Sequence, residues 1–354
     1  MSIVGTNNLS AATELSNPPP IESVFIELTN HCNHHCTFCP SDSMVRTRGH
    51  MSPDLFRSIC DQLARDNLAS SIAFHLMGEP FINKHALDFL EYADKLDLRV
   101  VLTTNASLLD EQTTERVLRH LAGGLILSLQ TPDAETFRQR GMKNRTFEQY
   151  RDHIRQIIRT YIRLNPARRG RTHIEVHFLN TLRSKPSVDI VSSETFAQET
   201  LADWWRFARA TEAELGIDSG YGEMPVLWSV LRPEPDGYYL DIAPGVIVRF
   251  KGAGTFANSR IESNHVVVPT KTGFCRNPFY QLGVLWNGCC TLCCVDHEGE
   301  IFVGNAMHTP IKEIWFGQKS EAIRQGFREG QVVHPLCQRC LGSLVHRDVA
   351  SGAT

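Results

Sequence analysis

Three cysteines close together in the sequence could bind a metal centre. Cys32, Cys36 and Cys39 lie in the stretch TNHCNHHCTFCP, separated by three and then by two residues. Closed zinc and iron–sulfur sites use four ligands, so this group is one thiolate short. Three thiolates can hold three irons of a cubane and leave the fourth iron open to a small molecule. An open position is typical of a catalytic metal site.

A zinc ion completed by a histidine is the alternative for this site. His31, His34 and His35 lie in the same stretch, but we expect them to be solvated loop residues rather than ligands. Another cysteine, Cys60, falls on the apolar face of a predicted helix, where a free cysteine packs as a small hydrophobe.

A second group of cysteines lies near the end of the chain. Cys275 is followed by twelve residues, then Gly288, then four residues and Cys293. The pair Cys337 and Cys340 lies further on. Four cysteines are enough to hold one complete iron–sulfur cluster, although four thiolates suit zinc equally well.

From Val24 onwards, short strand-like runs alternate with amphipathic helical stretches. The first strand-like run is VFIELT, and five units are complete by HIEVHFLN, with a sixth expected after the helix that begins near Ser193. Repeated strand–helix units predict an α/β fold in which helices cover a parallel sheet. The first three cysteines directly follow the first strand, and α/β proteins build their sites on loops at the carboxyl ends of strands.

The order of these features predicts five segments. They are a polar tail over residues 1–20, a barrel domain over 21–216, a connector over 217–272, a cysteine-rich module over 273–342 and a second tail over 343–354. The connector contains a strand, VIVRF, that we expect to lie over the barrel mouth and to line the substrate cavity.

Composition excludes several classes of function. Hydrophobic residues make up 42% and charged residues 21% of the 354 residues, which is ordinary for a globular protein with a sizeable core. The net charge of −3 gives no electrostatic case for binding nucleic acid or an acidic membrane surface. No apolar run reaches the length of a membrane span. Eleven cysteines without an export signal predict a cytoplasmic protein.

The first cysteine group resembles the signature of the radical S-adenosylmethionine (radical SAM) superfamily. The resemblance rests on the C-x3-C-x2-C spacing, on Phe38 directly before the last cysteine, and on later motifs in matching order. In that superfamily, the open iron of a [4Fe–4S] cluster binds S-adenosylmethionine. Reductive cleavage then gives a 5′-deoxyadenosyl radical that removes hydrogen from a substrate carbon. The fold implied is a partial (β/α)6 barrel of parallel strands.

The resemblance also implies which residues contact S-adenosylmethionine. The run MGEP after the second strand resembles the family's GGEP motif, whose backbone meets the methionine amino group, with Met77 replacing the first glycine. TTN, after the third strand, lies near the family's ribose contacts. Ser128 and Arg140 are candidates for binding the methionine carboxylate. The implied cofactor-binding residues are Phe38, Gly78, Glu79, Pro80, Thr104, Asn105, Ser128 and Arg140.

The second cysteine group resembles the auxiliary-cluster modules called SPASM and twitch. No cysteine follows Cys340, so the shorter twitch form with one auxiliary [4Fe–4S] cluster fits better. The glycine spacing favours Cys293 as a ligand, because the adjacent Cys294 would face away on a strand. Cys289 and Cys290 are expected to fill gaps. The implied iron ligands are Cys32, Cys36, Cys39, Cys275, Cys293, Cys337 and Cys340.

The run FHLMGEP, with a single four-cysteine module, resembles the aminocyclitol dehydrogenases of antibiotic biosynthesis. The resemblance implies hydrogen abstraction from a small polar metabolite (a sugar, aminocyclitol or nucleoside) and a two-electron oxidation with the auxiliary cluster as electron acceptor. A flavodoxin- or ferredoxin-type protein would supply electrons. The reaction needs a base, and the candidates are Lys251, to accept a proton, and Arg249, to orient the substrate.

Three other functions stay open at this stage. The same architecture occurs in redox-neutral sugar or nucleoside decarboxylases and epimerases. Peptide-modifying relatives often carry an extra amino-terminal domain, whereas about twenty polar residues precede the first strand here, so we favour a small metabolite. A non-catalytic iron–sulfur or zinc sensor would bind metal but form no 5′-deoxyadenosine.

The two cysteine groups predict a specific iron content. After anaerobic reconstitution, we expect about eight irons per chain in the wild type and about four when Cys32, Cys36 and Cys39 are changed to Ala. The measurement is iron and sulfide analysis of both proteins. About four irons in the wild type and none in the variant would contradict a second cluster.

Overall fold

The structure is a computed structural model that describes residues 21–164, 171–181, 187–191, 193–224 and 237–347. In the last range, side chains are described from residue 239 onwards. The predicted tail over 1–20 and part of the predicted connector lie outside the described residues.

The described residues form twelve strands. They are β1 (Ser23–Ile26), β2 (Ile72–Phe74), β3 (Val100–Thr104), β4 (Gly123–Gln130), β5 (Thr172–Asn180), β6 (Gly237–Ala243), β7 (Val246–Gly252), β8 (His265–Val268), β9 (Gln281–Val284), β10 (Cys289–Thr291), β11 (Gly304–Asn305) and β12 (Ser343–His346).

Nine α-helices lie in the same part of the chain. They are α1 (Pro53–Arg65), α2 (Ala86–Lys95), α3 (Glu111–His120), α4 (Ala134–Phe137), α5 (Phe147–Leu164), α6 (Glu194–Leu215), α7 (Ile311–Phe316), α8 (Gln318–Arg328) and α9 (Pro335–Cys340). No helix in the described residues is long and apolar enough to cross a membrane.

Six parallel strands form the core of one large sheet. Strands β1 to β5 lie side by side in chain order, and β7 follows β5 in the same direction. Helices connect successive parallel strands, as a parallel pairing requires. The α/β fold with a partial (β/α)6 barrel is therefore confirmed.

The strand predicted to lie over the barrel mouth instead lies in the sheet. The run VIVRF belongs to β7, which pairs with β5 so that Arg249 lies beside His177 and Lys251 beside Leu179. Strand β6 then pairs antiparallel with β7 at the edge. After α6 the chain first forms the antiparallel β6 and only then β7. The sixth parallel strand therefore lies within the predicted connector.

The C-terminal module continues the same sheet at its other edge. Strand β9 pairs in parallel with β1, with Leu282 beside Val24. Strands β10 and β11 extend the sheet in antiparallel steps, while β8 and β12 form a separate two-stranded sheet. The barrel and the module therefore share backbone hydrogen bonds.

Apolar side chains on the helical side of the sheet build the core. Phe56 of α1 packs edge-on against Phe74 of β2 at 5.6 Å and stacks on Phe89 of α2 at 4.3 Å. Helix α1 begins where the hydroxyl of Ser52 accepts the amide of Leu55 at 3.3 Å, with a proline at its first position. Cys60 is fully buried in this core, as predicted.

The pairing of β9 with β1 predicts a large stability effect. We expect Leu282→Ala to lower the free energy of unfolding by about 2–5 kcal/mol, because the leucine is fully buried and its removal leaves a cavity. Val268→Ala in β8 is the control, since that side chain is 51% exposed, and we expect a change within about 0.5 kcal/mol. Urea unfolding of the metal-free protein measures both. Equal effects of the two variants would contradict a structural role for β9.

Candidate active site and cysteine centres

The first three cysteines share one loop at the carboxyl end of β1. The amide of Cys39 donates to the carbonyl of Cys36 at 3.0 Å, which turns the loop back on itself. The thiols of Cys32, Cys36 and Cys39 are free and partly accessible. Burial raises the pKa of Cys32 to about 11 and that of Cys39 to about 12. Both are therefore protonated without metal, and a bound cluster has to displace the protons.

Asn30 and Arg48 give this loop its shape. The Asn30 side chain donates to the carbonyl of Thr47 at 2.9 Å and accepts the amide of Gly49 at 2.8 Å. The Arg48 guanidinium donates to the carbonyl of Asn30 at 2.5 Å and to that of Ser41. Both side chains cross-link the two ends of the cysteine loop, and sequence reasoning missed both.

The MGEP turn packs directly on the cysteine loop. Gly78 has a φ of 79°, and a Cβ there would lie 2.3 Å from the carbonyl oxygen of Thr29. The amide of Glu79 donates to the carbonyl of His31 at 2.8 Å. Glycine is thus required at position 78, whereas Met77 has an ordinary φ and a buried side chain. This explains how the motif accepts methionine as its first residue.

The Glu79 carboxylate anchors the ends of β2 and β3. It accepts hydrogen bonds from the hydroxyl of Thr104 at 2.7 Å, the amide of Asn105 at 2.7 Å and the amide of Phe81 at 3.2 Å. Burial raises its pKa, and these three donors oppose the shift. Its oxygens are thus occupied by protein donors. Glu79, which was predicted to bind S-adenosylmethionine, can therefore offer its backbone for that contact but not its carboxylate.

Asn105, which the TTN motif placed near the family's ribose contacts, lies beside the first cysteine group. Its side-chain amide donates to Asn33 at 2.8 Å and lies 4.0 Å from the Cys32 sulfur. Its backbone carbonyl accepts a hydrogen bond from the hydroxyl of Tyr150. Tyr150 belongs to α5 and is fully buried. A buried tyrosine on an apolar helix face gives no sequence signal for this role.

Arg140 is the buried cation of the site. Its guanidinium lies 3.4 Å from the Cys36 sulfur, donates to the carbonyl of Ser128 at 2.8 Å and lies over the Phe38 ring at 5.9 Å. Its Nε has no hydrogen-bond partner among the described residues. The structure therefore brings Phe38, Ser128 and Arg140 together beside the cysteines.

A β-bulge shapes the end of β4 at this point. The pairing with β5 shifts between Leu127 and Gln130, and Gln130 has a φ of 68°. Bulges re-aim side chains and are frequent beside active sites. Ser128 lies inside this irregular stretch, and its hydroxyl makes no hydrogen bond to the described residues. That hydroxyl is available to a ligand.

The histidines of the cysteine loop differ from one another. The prediction that all are solvated is wrong for His34, which is buried beside Tyr150, with ring centroids 5.9 Å apart. Burial lowers the pKa of His34 to about 3, so its ring is neutral. His35 is exposed and lies 3.0 Å from Asp42, and His31 stacks on His50 at 4.8 Å.

The C-terminal cysteines converge in the module. Burial raises the pKa of Cys337 to about 12, and the neighbouring Cys275 and Cys340 raise it further. Burial also raises the pKa of Cys293, and Cys294 and Cys340 act on it as well. Each of the four predicted ligands thus lies within electrostatic range of at least one of the others. Cys293 and Cys337 are buried, whereas Cys340 is exposed.

The other cysteines of the module do not all lie where we expected. Cys294 was predicted to face away, but its pKa is affected by Cys275 and, in the opposite direction, by Lys251, so it lies beside the same group. It follows β10 in a turn, where strand alternation no longer applies. Cys290 is buried, and Cys289 packs with Met77 and its apolar neighbours.

Strands β5 and β7 present a polar surface on the side opposite the helices. Alternate residues such as Phe178 and Phe250 stack in the core at 5.0 Å, so the residues between them face the barrel interior. There, the Glu175 carboxylate lies 2.7 Å from His177 and 3.1 Å from Arg249. His173 lies 3.4 Å from the same carboxylate.

This polar group is electrostatically coupled. Burial alone would raise the pKa of Glu175, but hydrogen bonds from His173 and His177 and the charge of Arg249 outweigh it and hold the pKa well below its usual range. Burial lowers the pKa of His75 to about 4, and the charge of Lys251 lowers it further. Lys251 also affects Cys294. It therefore lies between the polar barrel surface and the module's cysteines.

The donor sets of both cysteine groups fit iron–sulfur clusters. The first group offers free thiols on one short loop, with a buried arginine and a partly accessible serine hydroxyl beside it. The second group offers free thiols from loops and from helix α9. Among the described residues, no set of His, Cys, Asp or Glu side chains converges as the ligands of a single metal ion would. In a cubane each thiolate binds a different iron, so its ligands stand further apart.

Comparison with known families assigns both regions. Residues 26–165 match the radical SAM superfamily, and residues 275–341 match the SPASM iron–sulfur cluster-binding domain. The chain thus contains a radical SAM domain followed by a SPASM domain. These two domains imply a [4Fe–4S] cluster, S-adenosylmethionine and an auxiliary cluster.

Curated relatives share short segments of the chain. The S-adenosyl-L-methionine-dependent 2-deoxy-scyllo-inosamine dehydrogenase of Niallia circulans is 32% identical over 92 residues, which is 25% of this chain and 36% of that protein. The subtilosin biosynthesis protein AlbA of Bacillus subtilis is 29% identical over 98 residues, 28% of this chain and 21% of that one. The aligned segments thus span about a third or less of these relatives.

Solved structures share the fold over most of the chain. BtrN in complex with AdoMet and 2-DOIA has a TM-score of 0.50 at 17% identity, covering 88% of this chain and 89% of that one. Streptococcus suis SuiB bound to its precursor peptide SuiA has a TM-score of 0.53 at 17% identity, covering 87% and 67%. At these identities the likeness establishes the fold.

The Glu79 anchor yields a binding prediction. We expect Glu79→Gln to weaken S-adenosylmethionine binding about ten- to a hundredfold, because an amide NH2 cannot accept the hydrogen bond from the Asn105 amide and the end of β3 shifts. Calorimetric titration of the reconstituted protein measures the affinity. Glu22→Gln, at an exposed carboxylate, is the control. Unchanged affinity in Glu79→Gln would rule out the anchor's role.

Proposed function

We propose that this enzyme oxidises a small polar metabolite, such as a sugar, aminocyclitol or nucleoside, by two electrons. The observation that carries the proposal is the polar barrel surface formed by His75, Glu175, His177, Arg249 and Lys251. Side chains of this kind bind hydroxyl and amino groups by directed hydrogen bonds. The similarity to a 2-deoxy-scyllo-inosamine dehydrogenase supports the same class of substrate.

The cofactors define the chemistry that the residues serve. When bound, S-adenosylmethionine and its cluster supply a 5′-deoxyadenosyl radical that takes a hydrogen atom, and the auxiliary cluster accepts one electron. We propose Cys32, Cys36 and Cys39 as ligands of the first cluster. For the second, Cys275, Cys337 and Cys340 act with Cys293, which the glycine spacing favours over Cys294. A flavodoxin- or ferredoxin-type protein is the proposed electron donor.

The residues around the substrate have separate tasks. Lys251 accepts the proton of the substrate hydroxyl whose carbon has lost hydrogen, since it lies between the polar surface and the module. Arg249, held by Glu175 at 3.1 Å, orients the substrate. His177 is held by the same carboxylate and donates or accepts one hydrogen bond through its other nitrogen. The balanced change is an alcohol to a ketone, with loss of one hydrogen atom, one proton and one electron.

Around S-adenosylmethionine, we propose that backbone atoms of Gly78, Glu79 and Pro80 meet the methionine amino group. The Ser128 hydroxyl and the partnerless Nε of Arg140 bind the carboxylate. Phe38, Thr104 and Asn105 enclose the rest of the molecule.

Peptide modification is the second candidate. It is favoured by the 29% identity that residues of this chain share with the subtilosin biosynthesis protein AlbA. We favour the smaller substrate because the chain is 32% identical over 92 residues to a 2-deoxy-scyllo-inosamine dehydrogenase. A redox-neutral decarboxylation or epimerisation would use the same polar surface without an electron acceptor.

The test separates these reactions. The reconstituted enzyme is incubated with sugars, aminocyclitols, nucleosides and peptides, and 5′-deoxyadenosine is measured together with the product mass. We expect a product lighter by two hydrogens from a small metabolite. The variant Cys337→Ala/Cys340→Ala should retain about four irons and form 5′-deoxyadenosine, but yield no oxidised product.

Lys251→Met provides the matched comparison. We expect it to keep both clusters and to lower product formation about 10²- to 10⁴-fold, as loss of a general base does. Oxidised product from the variant without auxiliary ligands would contradict the proposed acceptor. A product of unchanged oxidation state would favour the redox-neutral alternative, and turnover of peptides alone would favour the second candidate.

A further inference from the structure

We propose that Arg46 is a positioning residue that couples the first cysteine loop to the C-terminal module and so fixes the separation of the two cysteine sites. Arg46 follows Cys39 by seven residues, and its partner His297 follows Cys293 by four. The inference is independent of which reaction the enzyme catalyses. It relies on the two clusters but on no particular substrate.

One end of the coupling is a buried carboxylate at the seam between barrel and module. Glu27 follows β1 and is fully buried. Its amide donates to the carbonyl of Val284 in β9 at 2.9 Å, and its carboxylate accepts the amide of Trp286 at 3.3 Å. Both Nη atoms of Arg46 donate to this carboxylate, one of them at 2.8 Å. The pair is therefore bidentate and nearly dry.

The other end is the loop after Cys293 and Cys294. The Arg46 Nε donates to the carbonyl of His297 at 2.5 Å. The Glu298 carboxylate accepts the backbone amides of Val45 at 2.9 Å and Arg46 at 3.1 Å. Through its side chain, Arg46 thus contacts Glu27, directly after β1, and His297 of the module. Through its backbone amide, it contacts Glu298, a second module residue.

The guanidinium suits this task because its five donors form a rigid fork. It can satisfy both carboxylate oxygens and still direct Nε to a third acceptor, which the point charge of a lysine cannot do. A nearby contact adds support, since the indole of Trp286 donates to the carbonyl of Thr47 at 3.2 Å. Electron transfer slows steeply with distance, so a fixed loop also fixes the rate between the two sites.

The first experiment uses the metal-free protein. Hydrogen–deuterium exchange is compared for wild type, Arg46→Gln, Glu298→Gln and the control Arg116→Gln, which breaks an ion pair of 2.6 Å on the barrel surface. We expect exchange in residues 40–50 to accelerate at least tenfold in the first two variants and to stay unchanged in the control. Exchange in β2 to β4 should not change in any of them.

The second experiment uses the reconstituted protein without substrate. Pulsed electron paramagnetic resonance measures the distance between the two reduced clusters, after iron analysis confirms about eight irons. We expect one narrow distance in wild type and Arg116→Gln, and a broadened distribution in Arg46→Gln and Glu298→Gln. Arg46→Lys should broaden it as well, because the charge is kept but the fork is lost.

Unchanged exchange in Arg46→Gln and Glu298→Gln, together with an unchanged cluster distance in Glu298→Gln and Arg46→Lys, would overturn the proposal and leave Arg46 as a counter-ion for Glu27. If Arg46→Gln fails to fold because Glu27 is left unpaired, Arg46→Lys and Glu298→Gln decide the question, since both keep a cation beside Glu27. Substrate turnover enters neither readout, so failure of this inference is distinguishable from failure of the proposed oxidation.

Discussion

Charged side chains buried against loop backbones hold the candidate site together. Glu79 and Arg140 are almost inaccessible. The Glu79 carboxylate accepts the backbone amide of Asn105, and the Arg140 guanidinium donates to the backbone carbonyl of Ser128. An unpaired charge at such a depth would cost several kcal/mol, so each loop is held where it satisfies its charge. This constraint gives segments without regular secondary structure the rigidity of the core. A site that must hold three thiols at fixed positions requires such rigidity.

The shared sheet imposes a second constraint, because the module cannot move as an independent domain. Strand β9 lies against β1 with four residue pairs in register. Arg260 adds a contact from the segment before the module by donating to the carbonyl of Cys39 at 3.0 Å. The first cysteine loop is therefore bound to the strand before it and to the module. The two cysteine groups are therefore held in one framework of backbone hydrogen bonds.

Sequence patterns predicted the architecture and the two cysteine groups, because both leave local signals. Apolar strands alternating with amphipathic helices identified the parallel sheet, and fixed spacing identified Cys32, Cys36 and Cys39. The pairing of β7 with β5 and of β9 with β1 has no such signal, since pairing depends on residues far apart in the chain. Glu175, Tyr150 and Arg46 were missed for the same reason, as their partners lie on other elements.

Met77 replaces the first glycine of the family's GGEP motif, and its position bears on how the two cysteine groups are separated. Met77 is buried in a small apolar cluster with Met44, Leu76 and Leu285, and both Cys39 and Cys289 pack against this cluster. Glycine at position 77 would leave a void there, and a void removes dispersion contacts from its lining. The methionine therefore fills an apolar contact between the first cysteine loop and the module strand. The polar surface of β5 and β7 faces the barrel interior instead, so apolar packing joins the loop to the module while charged groups line the interior.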